Sequence, residues 1–166
     1  MRVIVAGVGN VLRGDDGFGV VVAQRLEAEG SPAEVKVLDV GIGGIHLVQE
    51  LLDRPDALVI VDAVDRGRPP GTVFVIRPEV QDVYELSLHE RTDFLADMHY
   101  ATPERALVLA RALGVLPESA WIVGCQPADA DRLGEGLSSA VAAAVEPALE
   151  EVRRLVTELG VDWAAA

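Results

Sequence analysis

Arg2-Val3-Ile4-Val5-Ala6 runs without a break into Gly7-Val8-Gly9-Asn10-Val11-Leu12-Arg13-Gly14-Asp15-Asp16-Gly17-Phe18-Gly19. The run over Arg2–Ala6 is short, apolar and β-branched, the pattern of a strand covered on both faces. A glycine-rich connection follows it. Phe18, Val21, Val22 and Leu26 then recur at helical spacing until Gly30-Ser31-Pro32 stops the helix. Strand, glycine turn and helix in that order open a crossover unit, and the rest of the chain repeats the alternation. Val35–Val40 alternates like a second strand, and Ile45–Leu52 has helical periodicity that ends near Pro55. Ala57–Val61 is almost wholly apolar and reads as a third, buried strand. Thr72–Ile76 follows Pro69-Pro70-Gly71 as a fourth, and Ala120–Gly124 is a fifth. Between the last two, Thr102 is placed to cap a helix with Pro103 in its first turn and Gly114 past its end. A long helix over Leu137–Leu159, kinked at Pro147, closes the chain. Residues 78–101 read as a polar, turn-rich connection of the length that often carries function.

Alternation of this kind predicts an α/β fold. It is a three-layer α/β/α sandwich around a central, mostly parallel five-stranded sheet, forming a single domain over residues 1–166. Right-handed crossovers place strand one between strands two and three.

The bulk properties narrow the function. With 166 residues, half of them hydrophobic, the chain is long enough for one well-formed core. A mean hydropathy of +0.28 excludes a disordered linker. A net charge of −13 argues against nucleic acid, whose phosphates require a basic surface. The longest apolar runs, Val20–Ala23 and Ala140–Val145, fall well short of the roughly 20 residues needed to span a bilayer, so no membrane insertion is expected. No signal-peptide pattern precedes the first motif. The single cysteine, Cys125, fits a reducing compartment, and a cytoplasmic location is expected.

The first connection resembles a dinucleotide fingerprint only at its start. Leu12 stands where the third glycine is required, and two carboxylates occupy the place where phosphate needs helix amides. A Walker-type loop is also missing, since Lys36 is the sole lysine. Adjacent aspartates in such a loop suit a cation better, one of them capping the following helix and the other free to work. Asp62 ends the run Leu58-Val59-Ile60-Val61 and is expected at the carboxyl edge of the third strand, beside the loop after strand one. Among the three histidines, His46 lies in the second helix. His89, in Leu88-His89-Glu90-Arg91-Thr92-Asp93, resembles a zinc-peptidase start with aspartate in place of the second histidine. His99 stands just before the helix opened by Thr102 and Pro103. One imidazole and two carboxylates would make a three-point divalent-metal site with open positions. Nucleophile signatures are missing: there is no Gly-x-Ser-x-Gly elbow, and Cys125 ends a buried strand, where an inert core thiol is expected.

Taken together, Gly7-Val8-Gly9-Asn10-x-Leu12-x-x-Asp15-Asp16-Gly17-x-Gly19 resembles the opening motif of the nickel–iron hydrogenase maturation proteases. So do Asp39-x-Gly41 with Gly43-Gly44, Val61-Asp62-Ala63, Pro70-Gly71-Thr72, His99 before a helix, and Gly124-Cys125-Gln126-Pro127. The similarity runs through the whole chain in the same order. It implies a metal-dependent endopeptidase that clips the C-terminal extension from the precursor of a [NiFe]-hydrogenase large subunit once nickel is in place. By motif position it implies that Asp16, Asp62 and His99 contact the metal and serve the cleavage. The first of these positions is often glutamate in the family, so Asp16 is a shorter ligand. Residues 80–98 depart furthest from the family pattern. Nickel would arrive with the precursor, cadmium or zinc could replace it in vitro, and the enzyme is expected to be a monomer. The competing expectation is a non-catalytic α/β module that uses the same crevice for a metal or small ligand.

Overall fold

The computed structural model describes residues 1–96 and 102–163. Its strands are β1 (Val3–Val8), β2 (Val35–Gly41), β3 (Ala57–Ala63), β4 (Val73–Ile76) and β5 (Ser119–Cys125). Its helices are α1 (Phe18–Glu29), α2 (Gly44–Leu51), α3 (Leu88–Ala96), α4 (Pro103–Ala112), α5 (Ser139–Ala143) and α6 (Val145–Glu158). The strands form one sheet in the order β2-β1-β3-β5-β4, with β4 alone antiparallel. The α/β fold and the mostly parallel five-stranded sheet agree with the sequence, as does the central place of β1 between β2 and β3.

Alternation along each strand divides the interior into two cores. Val3 and Val5 of β1, with Val59 and Val61 of β3, face a layer built from α1, α5 and α6. Ile4, Ala6, Leu58 and Ile60 face the opposite layer, built from α2 and α4. Because both faces are covered, β1 is buried along its whole length. The first connection takes its glycines from this packing. A Cβ on Gly19 would stand 2.0 Å from the Val61 carbonyl oxygen and 2.4 Å from that of Val8, so α1 can rest on β1 and β3 only if this position is bare.

Two expectations are corrected. Residues 78–101 are not an uninterrupted irregular connection, because they contain a short 3₁₀ turn at Val83–Glu85 and helix α3. The start of α3 is a capping box. Ser87 N–H donates to the Glu90 carboxylate at 2.8 Å, and Glu90 N–H donates to Ser87 Oγ at 3.3 Å. The terminal helix is not one kinked rod but two helices meeting at Ala144. The interruption at Ala144 precedes Pro147, which sits in the first turn of α6 and has no N–H to offer the Ala143 carbonyl. Thr102 caps α4 as expected, accepting from Arg105 N–H, with Pro103 in the first turn.

Candidate active site

The strands β1, β2 and β3 run parallel, so their carboxyl ends emerge on one side of the sheet. The chain leaves β1 toward β2 and leaves β3 toward β5 and β4, which opens a crevice between β1 and β3. A cavity of about 400 Å³ lies there. Its walls include Gly9, Asn10, Arg13 and Asp16 after β1, Gly41 at the end of β2 with Ile42 beyond it, Asp62 of β3, and Thr102 and Pro103 at the start of α4. Asp16 and Asp62 therefore meet in one cavity, as their positions in the sequence imply. His99 lies outside the described residues, as does Asp97. Thr102, three positions after His99 in the sequence, lines the cavity.

Asp16 is held by its own loop. Asn10 N–H donates to Asp16 Oδ2 at 2.9 Å, and Asn10 Oδ1 accepts from Leu12 N–H at 2.9 Å, closing an Asx turn. Gly9 makes the closure possible: at φ +138° its absent Cβ would sit 1.8 Å from the Asp16 carbonyl oxygen. Asp62 stands in a different environment. Burial, then the like charges of Asp16 and Glu104, raise its carboxyl well above the ordinary 3.8, and the Ala63 amide opposes them only in part. A carboxylate with this surrounding favours a proton or a cation. Among the described residues, no group of three His, Cys, Asp or Glu side chains is placed to hold a metal ion.

The neighbouring Asp15 does something the sequence did not suggest. Neither aspartate caps the helix that follows, since no side chain bonds the start of the 3₁₀ turn Gly14–Gly17 or of α1. Asp15 is buried and accepts four hydrogen bonds from a distant segment: the N–H groups of Ala128, Asp129 and Ser138, and the Ser138 hydroxyl. Burial raises its carboxyl, but these donors outweigh that effect and leave it below the ordinary value. Backbone bonds continue the clamp, from Gly14 N–H to the Gly134 carbonyl and from Gly134 N–H to the Leu12 carbonyl.

Comparison with known proteins places this arrangement. Residues 20–155 match the model of the HycI family, described as hydrogenase maturation protease. The chain is 34% identical to the HupD hydrogenase expression/formation protein of Rhodobacter capsulatus over 97% of its own length and 74% of that protein. It is also 34% identical to the hydrogenase 2 maturation protease of Escherichia coli K12, over 98% and 94% of the two chains. The solved structure of the hydrogenase maturating endopeptidase HybD from E. coli superposes with a TM-score of 0.77 at 31% identity, covering 98% of this chain and 96% of that one.

The chain belongs to the hydrogenase maturation protease family. It is accordingly a protease and a hydrolase, which decides against the non-catalytic binding module. The resemblance carried by its glycine–aspartate loop is thereby supported, although the matched family segment begins just after that loop.

Other residues of this protease sort out plainly. Cys125 is fully buried, and burial with the nearby Asp15 charge pushes its thiol up to about 11, so it remains an unreactive core group. Gln126, buried beside it, accepts from the N–H groups of Arg66 and Arg68 and donates to Asp65 Oδ1, tying the β3–β4 connection to the end of β5. His46 pairs with Glu50 at 3.4 Å. His89 is 86% exposed and pairs with Asp93 at 3.5 Å, one turn along α3. Neither lines the carboxylate cavity. Asn10, Arg13, Ile42 and Glu104 were not singled out from sequence. Asn10 lay within the quoted motif, and Glu104 follows the Thr102–Pro103 helix start, but no pattern revealed that Glu104 would act on Asp62.

Proposed function

We propose that the protein removes the C-terminal extension of a [NiFe]-hydrogenase large-subunit precursor after nickel insertion, with Asp16, Asp62 and His99 addressing the metal. The observation that carries this reading is the convergence of Asp16 and Asp62 on one cavity; His99 joins them by its motif position alone. The names borne by the relatives support the hydrogenase connection.

The donor chemistry fits a borderline divalent ion, which accepts carboxylate oxygen and imidazole nitrogen together. Nickel enters with the precursor as part of the substrate, and cadmium or zinc can stand in for it in vitro. Bound there, the ion supplies Lewis acidity at the peptide to be cut. The chain's own residues do the rest. Asp16 is pre-set by the Asn10 amide. Asp62, held protonated more readily than usual by burial and then by Asp16 and Glu104, gives up its proton when a cation offsets these effects. His99 binds in its neutral form. In the hydrolysis a water oxygen adds to the scissile carbonyl carbon and the C–N bond breaks. The water's protons pass to the new carboxyl and amino ends.

Among the described residues no helix is long and apolar enough to cross a membrane. The proposed setting is the cytoplasm, with the enzyme acting as a monomer and without nucleic acid. The test is incubation of the protein with nickel-loaded and nickel-free precursor, scored by mass. Loss of the tail from the loaded form alone is expected. Efficient processing of the nickel-free form would remove the metal from the recognition step.

A further inference from the structure

The loop carrying Asp16 has a second face. From Asn10 the chain makes a tight turn, with Arg13 N–H bonded to the Asn10 carbonyl, and continues as the 3₁₀ turn Gly14–Gly17. Three residues per turn bring every third residue to the same side. Asn10, Arg13 and Asp16 line the carboxylate cavity. Val11, Gly14 and Gly17 line a different groove of about 550 Å³ on the other side of the same segment. Leu12, within the same segment, is 56% exposed, and Leu133, next to the Gly134 amide that bonds the Leu12 carbonyl, is 86% exposed.

The second groove has the character of a peptide site. Its floor is apolar, formed by Val21 of α1, Leu137, Ala142 of α5 and Val145 of α6. Its polar margin includes Arg25 and Glu135. Both spaces fall within the roughly 300–1,000 Å³ typical of ligand-holding clefts. They lie on two sides of one segment, where the exposed Leu12 and Leu133 stand beside the exposed Arg13–Asp131 ion pair.

We propose that the precursor's peptide leaves the carboxylate cavity over Leu12 and Leu133 and lies in this second groove. The occupant is the C-terminal extension itself, with apolar side chains settling against Val21 and Val145. The inference rests on the carboxylate cavity being the place of cleavage, since continuity with that cavity selects the tail over any other partner. The groove then makes processing depend on the tail as well as on the scissile bond. The Asp15 clamp gains a role from this: it fixes the segment that supplies Leu133 and Leu137, and so holds the outer bank of the groove.

The test is to fill the groove without touching the cavity. Ala142 and Gln24 are both exposed, so Ala142→Trp and Gln24→Trp should fold normally. Two nickel-loaded precursors are compared, one with its full tail and one truncated a few residues beyond the cleavage point. With the full tail, each variant should raise KM by about tenfold at nearly unchanged kcat. With the short tail, both variants should match wild type. Equal loss on both precursors, or no loss on either, overturns the proposal. A fluorescently labelled peptide of the tail sequence provides a second measurement that needs no turnover. If wild type binds this peptide and Ala142→Trp weakens binding about tenfold, the groove stands even where cleavage fails. If wild type does not bind it, the groove falls independently of the catalytic reading. Sedimentation that shows a dimer dissolved by Ala142→Trp would assign the groove to a second copy of the chain and overturn the proposal.

Discussion

Asp15 and Asp62 are both carboxylates withdrawn from water at the same edge of the sheet, yet their surroundings move them in opposite directions. Around Asp15, four donors from residues 128–138 outweigh the penalty of burial and hold the charge in place. Around Asp62, burial is reinforced by the like charges of Asp16 and Glu104, and the carboxyl is pushed up. The difference separates two uses of a buried acid. A carboxylate surrounded by donors is finished, and its work is to tie segments together. A carboxylate that is desolvated and beside other carboxylates is left uncompensated, the condition that marks a candidate functional group.

The comparison breaks most sharply under alanine. Asp62→Ala and Asp16→Ala should abolish tail removal, by about a thousandfold or more where the lost group acts on the reacting centre. Asp16→Ala should leave the melting temperature close to wild type, and Asp62→Ala should not lower it. His99→Ala should behave the same way, while His89→Ala and His46→Ala stay active. Activity is read by mass of the precursor and folding by thermal melting. An inactive His89→Ala beside a competent His99→Ala would move the third donor onto α3.

Asp15→Ala should do the reverse. It strands the amides of Ala128, Asp129 and Ser138 without their acceptor, and each orphaned buried donor costs about 1–3 kcal/mol. Allowing for water reaching some of them, a net loss of about 2–4 kcal/mol in urea unfolding is expected. Residual processing should survive in the folded fraction. A variant as stable as wild type would mean that the clamp contributes nothing.

The two aspartates also show what could be seen in advance. Asp62 was legible because a buried strand ending in a charge has one place to put it, and parallel strands gather such ends together. Asp15 was not, because its partners lie 113 to 123 positions away and no local pattern announces them. A helix cap was the nearest explanation in sequence, and a tertiary clamp displaced it. The strands, α1, α2 and α4 were read from periodicity and breakers. α3 was missed because residues 88–96 have little apolar periodicity. Its one local signal is Ser87 followed three residues later by Glu90, the two ends of the capping box. The parity of Leu58 and Val59, which divides β3 between two cores, followed from simple alternation.

Cys125 sharpens the contrast from the side of chemistry. It lies near Asp15, whose fixed charge helps to hold its thiol up near 11. At neutral pH it should resist iodoacetamide in the native state. Cys125→Ser buries a hydroxyl in a site shaped for sulfur and should cost about 1–3 kcal/mol. Processing by the folded fraction should remain intact. Rapid alkylation with loss of activity would point instead to a cysteine nucleophile.

The smallest effect, and the most direct reading of the two environments, lies in the pH dependence of stability. It is measured on protein stripped of metal by EDTA. In the folded state Asp62 holds its proton to higher pH than in the unfolded chain, so ionising it opposes folding. That penalty is absent in acid, develops as pH rises past the ordinary 3.8, and is complete above the raised folded value. Asn cannot ionise, so the stability of Asp62→Asn relative to wild type should climb through this window and then level. Asp15 has the opposite sign. Its folded carboxyl is lowered, so the stability it contributes is present above 3.8 and disappears as pH falls through the folded value. Asp15→Asn should therefore show its full deficit at neutral pH and a shrinking one in acid. Urea unfolding of both variants between about pH 3 and 7 should give two difference curves that change over different windows. The Asp62→Asn gain appears above the ordinary value, and the Asp15→Asn deficit closes below it. A flat Asp62→Asn difference would mean that neither burial nor the charges of Asp16 and Glu104 raise the Asp62 carboxyl. The cavity would then have lost its reason to attract a cation.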